Sequence, residues 1–455
     1  MVLAPTSSLN ARNWGVEFVS YERYFQLPIA ERQRRRAALT GLPQWLQSAA
    51  TGPENYEAQQ PPLAYLALTS LDLFAGETPL PHRIWVYRVA CACASVVLFV
   101  FAMSALGSQM GIRPAYIAAA IFVLFSTQSL FGAIAHVAND WLSLPLIPLV
   151  LLAAAKFWNQ PDRRSCVLLA AALATGLLTK SYFLVFVPPV AVLVSWRSGP
   201  RMTALWLGIL AVVAGPWYLR NVLLYGNLTG LQSAVRAIPG RAVLHMFLTI
   251  PWHTALPAMA RGGLWTANNS FAAFSKATLN IVLLLLSAGG ALWALRWRTL
   301  PNHPAHGIVA AGTLVFAAIP IYAMALFGAV RGEAHANANS WYSAGLLPCV
   351  LLIAFSGCAQ GGVAGRVVAI ALIAVSCYIV AATYFARLIP LYAGYDAPGR
   401  IGWLVDLYTN QWRELLSRLG ETALASGEIV AILALAVALI SAAVGWRISR
   451  NLLLS

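Results

Sequence analysis

Apolar residues in this chain gather into long runs, separated by short breaks rich in polar residues, glycine or proline. Runs suited to a hydrocarbon core of roughly 30 Å lie at about 89–108, 115–132, 141–157, 166–179, 181–196, 203–219, 279–297, 307–328, 342–357, 367–386 and 428–446. Only helices and closed barrels satisfy the backbone polar groups inside lipid, so the pattern predicts an all-α membrane protein, a polytopic helical bundle of about eleven spans. The stretch 166–196 reads as two short spans parted at Lys180 and Ser181, with Pro188 and Pro189 near the start of the second. The run Leu63 to Ala75 has thirteen residues and contains Asp72, which is too short and too charged to cross, so it predicts a helix lying at the interface. In 387–427, Ile401, Leu404, Val405, Tyr408, Trp412, Leu415, Leu416 and Leu419 recur at helical spacing, with Arg413, Glu414 and Arg418 on other faces, the pattern of an amphipathic helix on a bilayer surface.

Composition agrees with this reading. Hydrophobic residues make up 60% of the 455 and charged residues 10%, with a mean hydropathy of +0.70, whereas a soluble domain carries roughly 25% charge. The net charge of +15 does not indicate nucleic acid, because the basic residues sit in short connections between apolar runs, where they set orientation. With the amino-terminal segment outside, the inner connections and tail hold Arg113, Lys156, Arg163, Arg164, Arg197, Arg201, Arg296, Arg298, Arg366, Arg447 and Arg450, against only Lys180 and Arg331 in the short outer ones. This bias favours two spans over 166–196. It also defines an outer loop with an interfacial helix at 1–88, a transmembrane core at 89–219 and an outer loop at 220–278. Transmembrane helices at 279–386, an outer amphipathic segment at 387–427 and a last span with a cytoplasmic tail at 428–455 complete the organisation. The chain is expected in the plasma (inner) membrane. An outer amino-terminal segment without a preceding span leads to the further expectation that a first span lies upstream. The six cysteines fall in or beside apolar runs without metal-site spacing.

Ionisable groups at the membrane edge are the candidates for chemistry, because burying a charge there costs several kcal/mol unless it has a partner or a task. Four mark the outer side: Glu57, Asp140, Lys180 and Arg220. Glu57 opens the run Glu57-Ala58-Gln59-Gln60-Pro61-Pro62-Leu63-Ala64-Tyr65, in which the proline pair sets up a helix start. Asp140 follows His136 and Asn139 at the head of a span, placed either to cap it or to act as a functional carboxylate. Lys180 calls for an anionic partner, a phosphate or Asp140. Arg220 lies in Pro216-Trp217-Tyr218-Leu219-Arg220-Asn221, where a guanidinium can fork onto a phosphate or a lipid headgroup.

These residues in this order, together with Leu178-Thr179-Lys180, Tyr225-Gly226 and Ser340-Trp341-Tyr342, resemble the polytopic glycosyltransferases of the C-type fold, in particular the protein-mannosyltransferase and aminoarabinose-transferase-like superfamily. The resemblance covers about 50–230. It implies transfer of a sugar from a polyprenyl-phosphate donor to a glycan, lipid or protein acceptor on the extracytoplasmic face, with a carboxylate as general base and basic groups on the donor phosphate. By that resemblance Asp140 and Glu57 are the catalytic candidates. Gln59, Gln60, Tyr65, His136, Asn139, Lys180, Trp217, Tyr218, Arg220, Asn221, Trp341 and Tyr342 are the substrate-binding candidates. The chain departs from the family's pattern in two ways: its first span and acidic pair have no counterpart, and Gln59-Gln60 stands where relatives carry Glu-Lys or a histidine. The phosphate grip then falls to Lys180, Arg220, or a loop arginine such as Arg241 or Arg261. No resident cofactor is called for, and a divalent metal is left open. Competing readings are a transporter or flippase of a lipid-linked glycan precursor, which would use the same charges along a pathway, and an inactive truncated homologue.

Overall fold

The computed structural model describes residues 21–40, 59–75, 78, 80–229, 238–265, 274–333, 340–395, 400–423 and 425–454. Within them the regular structure is entirely helical. Eight helices are long and apolar enough to cross a membrane: His82–Gln109, Asp140–Asn159, Ser181–Val213, Lys276–Leu295, His303–Arg331, Tyr342–Gln360, Gly362–Tyr392 and Gly427–Leu454. A ninth is added if the pair Pro114–Phe125 and Gln128–Ile134, bent by 73° at Ser126 and Thr127, counts as one broken span.

The length criterion merges what the chain path divides. Gly199 breaks the helix Val187–Val213 with φ 77° and ψ −177°, a conformation that glycine adopts without steric cost. Before the break, Arg197 Nε donates to Trp158 O at 3.0 Å; after it, Met202 O lies 3.7 Å from Cys166 Sγ, and Tyr218 Oη donates to Leu177 O at 2.9 Å. Residues 197 and 202 therefore lie at one end of the bundle and 218 at the other, so the segments on either side of Gly199 run antiparallel. The helix Arg163–Thr179, 17 residues long, ends at Lys180, whose extended backbone (φ −155°, ψ 134°) turns the chain into the 3-10 segment Ser181–Phe186. The 166–196 region thus does hold two helices. A Cβ on Gly176 would stand 2.5 Å from the Phe183 ring, so that close return needs a glycine.

Contacts sort the connections into two groups. The short basic ones share one end: Asn302 Nδ2 donates to Gln109 O at 2.6 Å, His306 Nε2 lies 3.0 Å from Met110 O, and Arg197 stacks on Trp158 at 5.6 Å. The long ones gather at the other. There Arg32, fully buried, donates to Leu27 O at 3.1 Å and to Tyr392 O at 3.0 Å, and Gln33 donates to Glu421 at 2.9 Å, joining the helix Ile29–Thr40 to the segment after residue 390. The interfacial helix Leu63–Ala75 forms, and its Asp72 meets Arg83 Nη1 at 3.7 Å and the Tyr87 hydroxyl. The expected single amphipathic helix is two, Ile401–Asn410 and Trp412–Thr422, and at the turn between them Asp406 accepts from the side-chain amides of Asn410 and Gln411 at 2.7 and 3.0 Å. Leu407, Leu415 and Leu419 are buried, while Ile401 is 79% exposed on a face suited to lipid.

Where water is absent, helices adhere through close packing more than through hydrophobic burial, so small residues mark the tightest contacts. A Cβ on Gly357 would lie 2.1 Å from Gly289 O, and one on Gly289 would lie 2.8 Å from Ala354 O. The backbones of Lys276–Leu295 and Leu347–Gln360 touch along this strip. The helix Gly427–Leu454 does the reverse, presenting Ile432, Leu433, Leu439 and Ile440 outward, a face that hydrocarbon can cover. Gly357→Val is expected to destabilise the bundle by about 1–3 kcal/mol, whereas Gly290→Ala, with open space at its Cβ, should be neutral or slightly stabilising. Thermal unfolding of both variants in detergent checks this.

Candidate functional site

Asp140 and Lys180, forty residues apart, form a buried ion pair. Asp140 is 8% exposed and Lys180 9%. Each sits where a helix favours its charge. Asp140 is the first residue of the helix Asp140–Asn159, and Lys180 closes the helix Arg163–Thr179; the positive N-terminal and negative C-terminal ends of the two helix dipoles add to the attraction. Asn139, not Asp140, holds the cap position, and its side chain makes no capping bond. The Asp140 carboxylate is thereby left for Lys180.

Hydrogen bonds hold the pair's supports in place. The Ser95 hydroxyl donates to Trp141 O and to Cys91 O, fixing the start of the Asp140 helix on the Leu80–Gln109 helix. The Lys180 N–H donates to Gly176 O at 2.8 Å, and the Thr179 hydroxyl donates to Thr175 O at 2.7 Å. Around the ammonium stand two aromatic faces, Tyr182 at 5.3 Å and Tyr342 at 5.8 Å, which attract a cation through their ring quadrupoles. Tyr182 in turn meets Phe316 edge-on at 5.1 Å.

The Gln59-Gln60 segment is drawn to the same place by two amides. Asn139 Nδ2 donates to Gln60 Oε1 at 3.4 Å, and Asn221 Nδ2 donates to Gln59 O at 3.1 Å. Gln59 and Asn221 are buried. Tyr218, bonded to Leu177 O, brings the helix Gly215–Tyr225 against the end that carries Lys180. Arg220 lies over the Trp217 ring at 4.6 Å and the Tyr225 ring at 5.6 Å, and it donates to Asn221 Oδ1 at 3.1 Å. This guanidinium is linked to the Gln59-Gln60 segment through Asn221.

Of the residues singled out in the sequence, Asp140, Lys180, Gln59, Gln60, Asn139, Tyr218, Arg220, Asn221 and Tyr342 thus form one connected constellation, with Trp217 beneath Arg220. Tyr65, half-buried, follows on the interfacial helix, and His136 is exposed in the turn before Asn139. Glu57 and the Trp341 side chain lie outside the described residues. Of the loop arginines, Arg241 is exposed, and Arg261 donates to Asn280 Oδ1 at 3.1 Å. Three hydroxyl residues beside these in sequence carry no signal in the run pattern: Ser143 and Tyr182, buried against each other, and Ser343, buried without a hydrogen-bond partner among the described residues. Ser143 was findable, because it stands three positions after Asp140 on the same helix face. Tyr182 depends on the 3-10 turn after Lys180, which no periodicity signals. Among the described residues no cluster of His, Cys, Asp and Glu fits a metal ion.

No family model matches the chain, and no curated protein does. Among solved structures, it is similar to the crystal structure of ArnT from Cupriavidus metallidurans bound to undecaprenyl phosphate, with a TM-score of 0.45 and 15% identity, over 95% of this chain and 71% of that one.

Removing one member of a buried ion pair strands the other. Asp140→Asn or Lys180→Met alone is expected to cost on the order of 3–5 kcal/mol, while the double variant should recover a large part of that loss. Unfolding of the three variants in detergent measures it, and single variants no weaker than the double would show that the pair is not coupled.

Proposed function

We propose that this chain is a membrane glycosyltransferase that moves a sugar from a polyprenyl-phosphate carrier to a hydroxyl of a glycan, lipid or protein acceptor. In this reading the protein is a multi-pass protein of the plasma (inner) membrane, and its reaction takes place on the face that carries Asp140 and Lys180. The observation that supports it most is the buried Asp140–Lys180 pair, flanked by the Tyr182 and Tyr342 rings and by the amide-bonded Gln59-Gln60 segment at one end of an apolar bundle. A buried cation at the membrane edge suits a lipid phosphate, and a carboxylate in contact with it suits proton removal.

Lys180 takes the donor phosphate, with Arg220 as the second cation. As the phosphate engages Lys180, it competes with Asp140 for the ammonium and leaves that carboxylate free to meet the acceptor hydroxyl. The acceptor oxygen attacks the anomeric carbon, the bond from that carbon to the phosphate oxygen breaks, and the electron pair leaves with the polyprenyl phosphate. The acceptor proton passes to Asp140. The leaving group is stable without protonation, so cations that stabilise its developing charge and one base suffice for the reaction. Glu57 is the second carboxylate proposed for proton transfer. The Gln59-Gln60 segment, held by Asn139 and Asn221, supplies amides for sugar hydroxyls.

The test incubates the purified protein with a series of polyprenyl-phosphate sugars and candidate acceptors and follows release of the lipid phosphate. Asp140→Asn and Lys180→Ala should each lower turnover about 10²-fold or more, with Arg220→Ala showing a smaller loss concentrated in donor KM. Turnover equal to wild type in the first two would refute the assigned site.

A further inference from the structure

A second site lies at the opposite end of the same helices. Leu80–Gln109, Asp140–Asn159 and Arg163–Thr179 line a half-open cavity of about 690 Å³. Its walls are apolar, with Phe101, Leu146, Leu149 and Leu168 among them, and its rim carries Lys156 and Arg164. Phe101 is 59% exposed and Leu168 53%, a degree of exposure that hydrocarbon tolerates and water does not favour. Lys156 and Arg164 are exposed and form no ion pair within 4 Å among the described residues. One carboxylate, Asp162, shares the rim, which leaves these three groups a net charge of one positive unit. Asp162 caps the helix Arg163–Thr179 by accepting the Ser165 N–H at 2.7 Å, which together with the Ser165 hydroxyl holds its pKa below the usual carboxylate range.

We infer that this cavity binds an anionic phospholipid of the adjoining leaflet, with its phosphate between Lys156 and Arg164 and an acyl chain against Phe101, Leu149 and Leu168. Each part of the site selects against a simpler ligand. Free phosphate would leave the apolar walls uncovered, and a headgroup of net negative charge suits a rim of two cations and one carboxylate better than a neutral one. Basic pockets between spans at the positively charged end of a membrane protein are suited to anionic headgroups. Because two of the walls also carry Asp140 and Lys180 at their far ends, a bound lipid braces the scaffold of the candidate active site without touching it. This inference does not depend on the proposed reaction.

The protein purified in detergent is titrated with phosphatidylglycerol or phosphatidylcholine, while native mass spectrometry counts bound lipid and thermal unfolding reports stabilisation. Wild type should bind phosphatidylglycerol in preference and unfold at higher temperature with it. Lys156→Gln/Arg164→Gln should weaken that binding roughly thirtyfold, each basic residue contributing about fivefold. Leu149→Trp, which fills the cavity and keeps both charges, should also lose the lipid. Arg296→Gln/Arg298→Gln removes a basic pair from the same end but outside the cavity, and should bind like wild type. Equal affinity of wild type for the two lipids, retention by the first double variant or by Leu149→Trp, or an equal loss in the Arg296/Arg298 variant would each overturn the proposal. Unfolding of every variant without lipid shows whether it is folded; if a double variant is not, Lys156→Gln alone carries the same test.

Discussion

The arrangement of this protein's polar end depends on one ion pair. Asp140 and Lys180 are both nearly inaccessible, and neither would be tolerated there alone. An ammonium and a carboxylate taken out of water each lose several kcal/mol of hydration, which their mutual attraction offsets only in good geometry. Two helix ends provide that geometry. The Asp140 helix presents its positive end to the carboxylate and the Arg163–Thr179 helix its negative end to the ammonium, so the backbone itself stabilises the charges in the places they occupy. The neighbouring elements respond to that constraint. Ser95 holds the first helix, Gly176 lets Phe183 close beneath the second, and the two tyrosine rings face the cation.

The same pair explains why the site is polar without being open. Asn139 and Asn221, from different helices, hold the Gln59-Gln60 segment across it, so a loop remote in sequence is fixed by amides instead of by apolar contact. Arg220 is immobilised between two aromatic rings and an asparagine, which limits the freedom a long side chain would lose on binding an anion. At the other end the charges are arranged differently. Lys156 and Arg164 stay exposed at the rim of a cavity they share with Asp162. One bundle therefore carries cations of two kinds, a buried one paired within the fold and exposed ones at its edge.

Much of this was legible in the residues. Hydrophobic run length and the positions of arginine and lysine were enough to read an all-helical membrane bundle, to part the helices at Lys180, and to ask of Lys180 an anionic partner, a phosphate or Asp140, because each principle involved is local: a helix must be long enough for the bilayer, and a lone buried charge must be answered. The short interfacial helix Leu63–Ala75 was legible for the same reason. Other features were beyond a linear pattern. Nothing in the periodicity of 401–419 revealed the break at Gln411, where Asp406 holds the side-chain amides of Asn410 and Gln411. The reversal at Gly199, by contrast, was legible, as a connection carrying Arg197 and Arg201 between the apolar runs 181–196 and 203–219.

The sequence by itself determined the solvent this protein lives in, its helical class and the residue types available for chemistry, because burial of backbone polar groups in lipid leaves so few alternatives. Only the tertiary structure decided which of those residues meet. Tyr182 and Tyr342 join the Asp140–Lys180 pair, Gln59 and Asn221 come together across 162 positions, and Lys156 shares a cavity with Phe101. These meetings depend on helix-to-helix contacts such as Gly289 against Gly357, whose fit is a matter of shape in three dimensions.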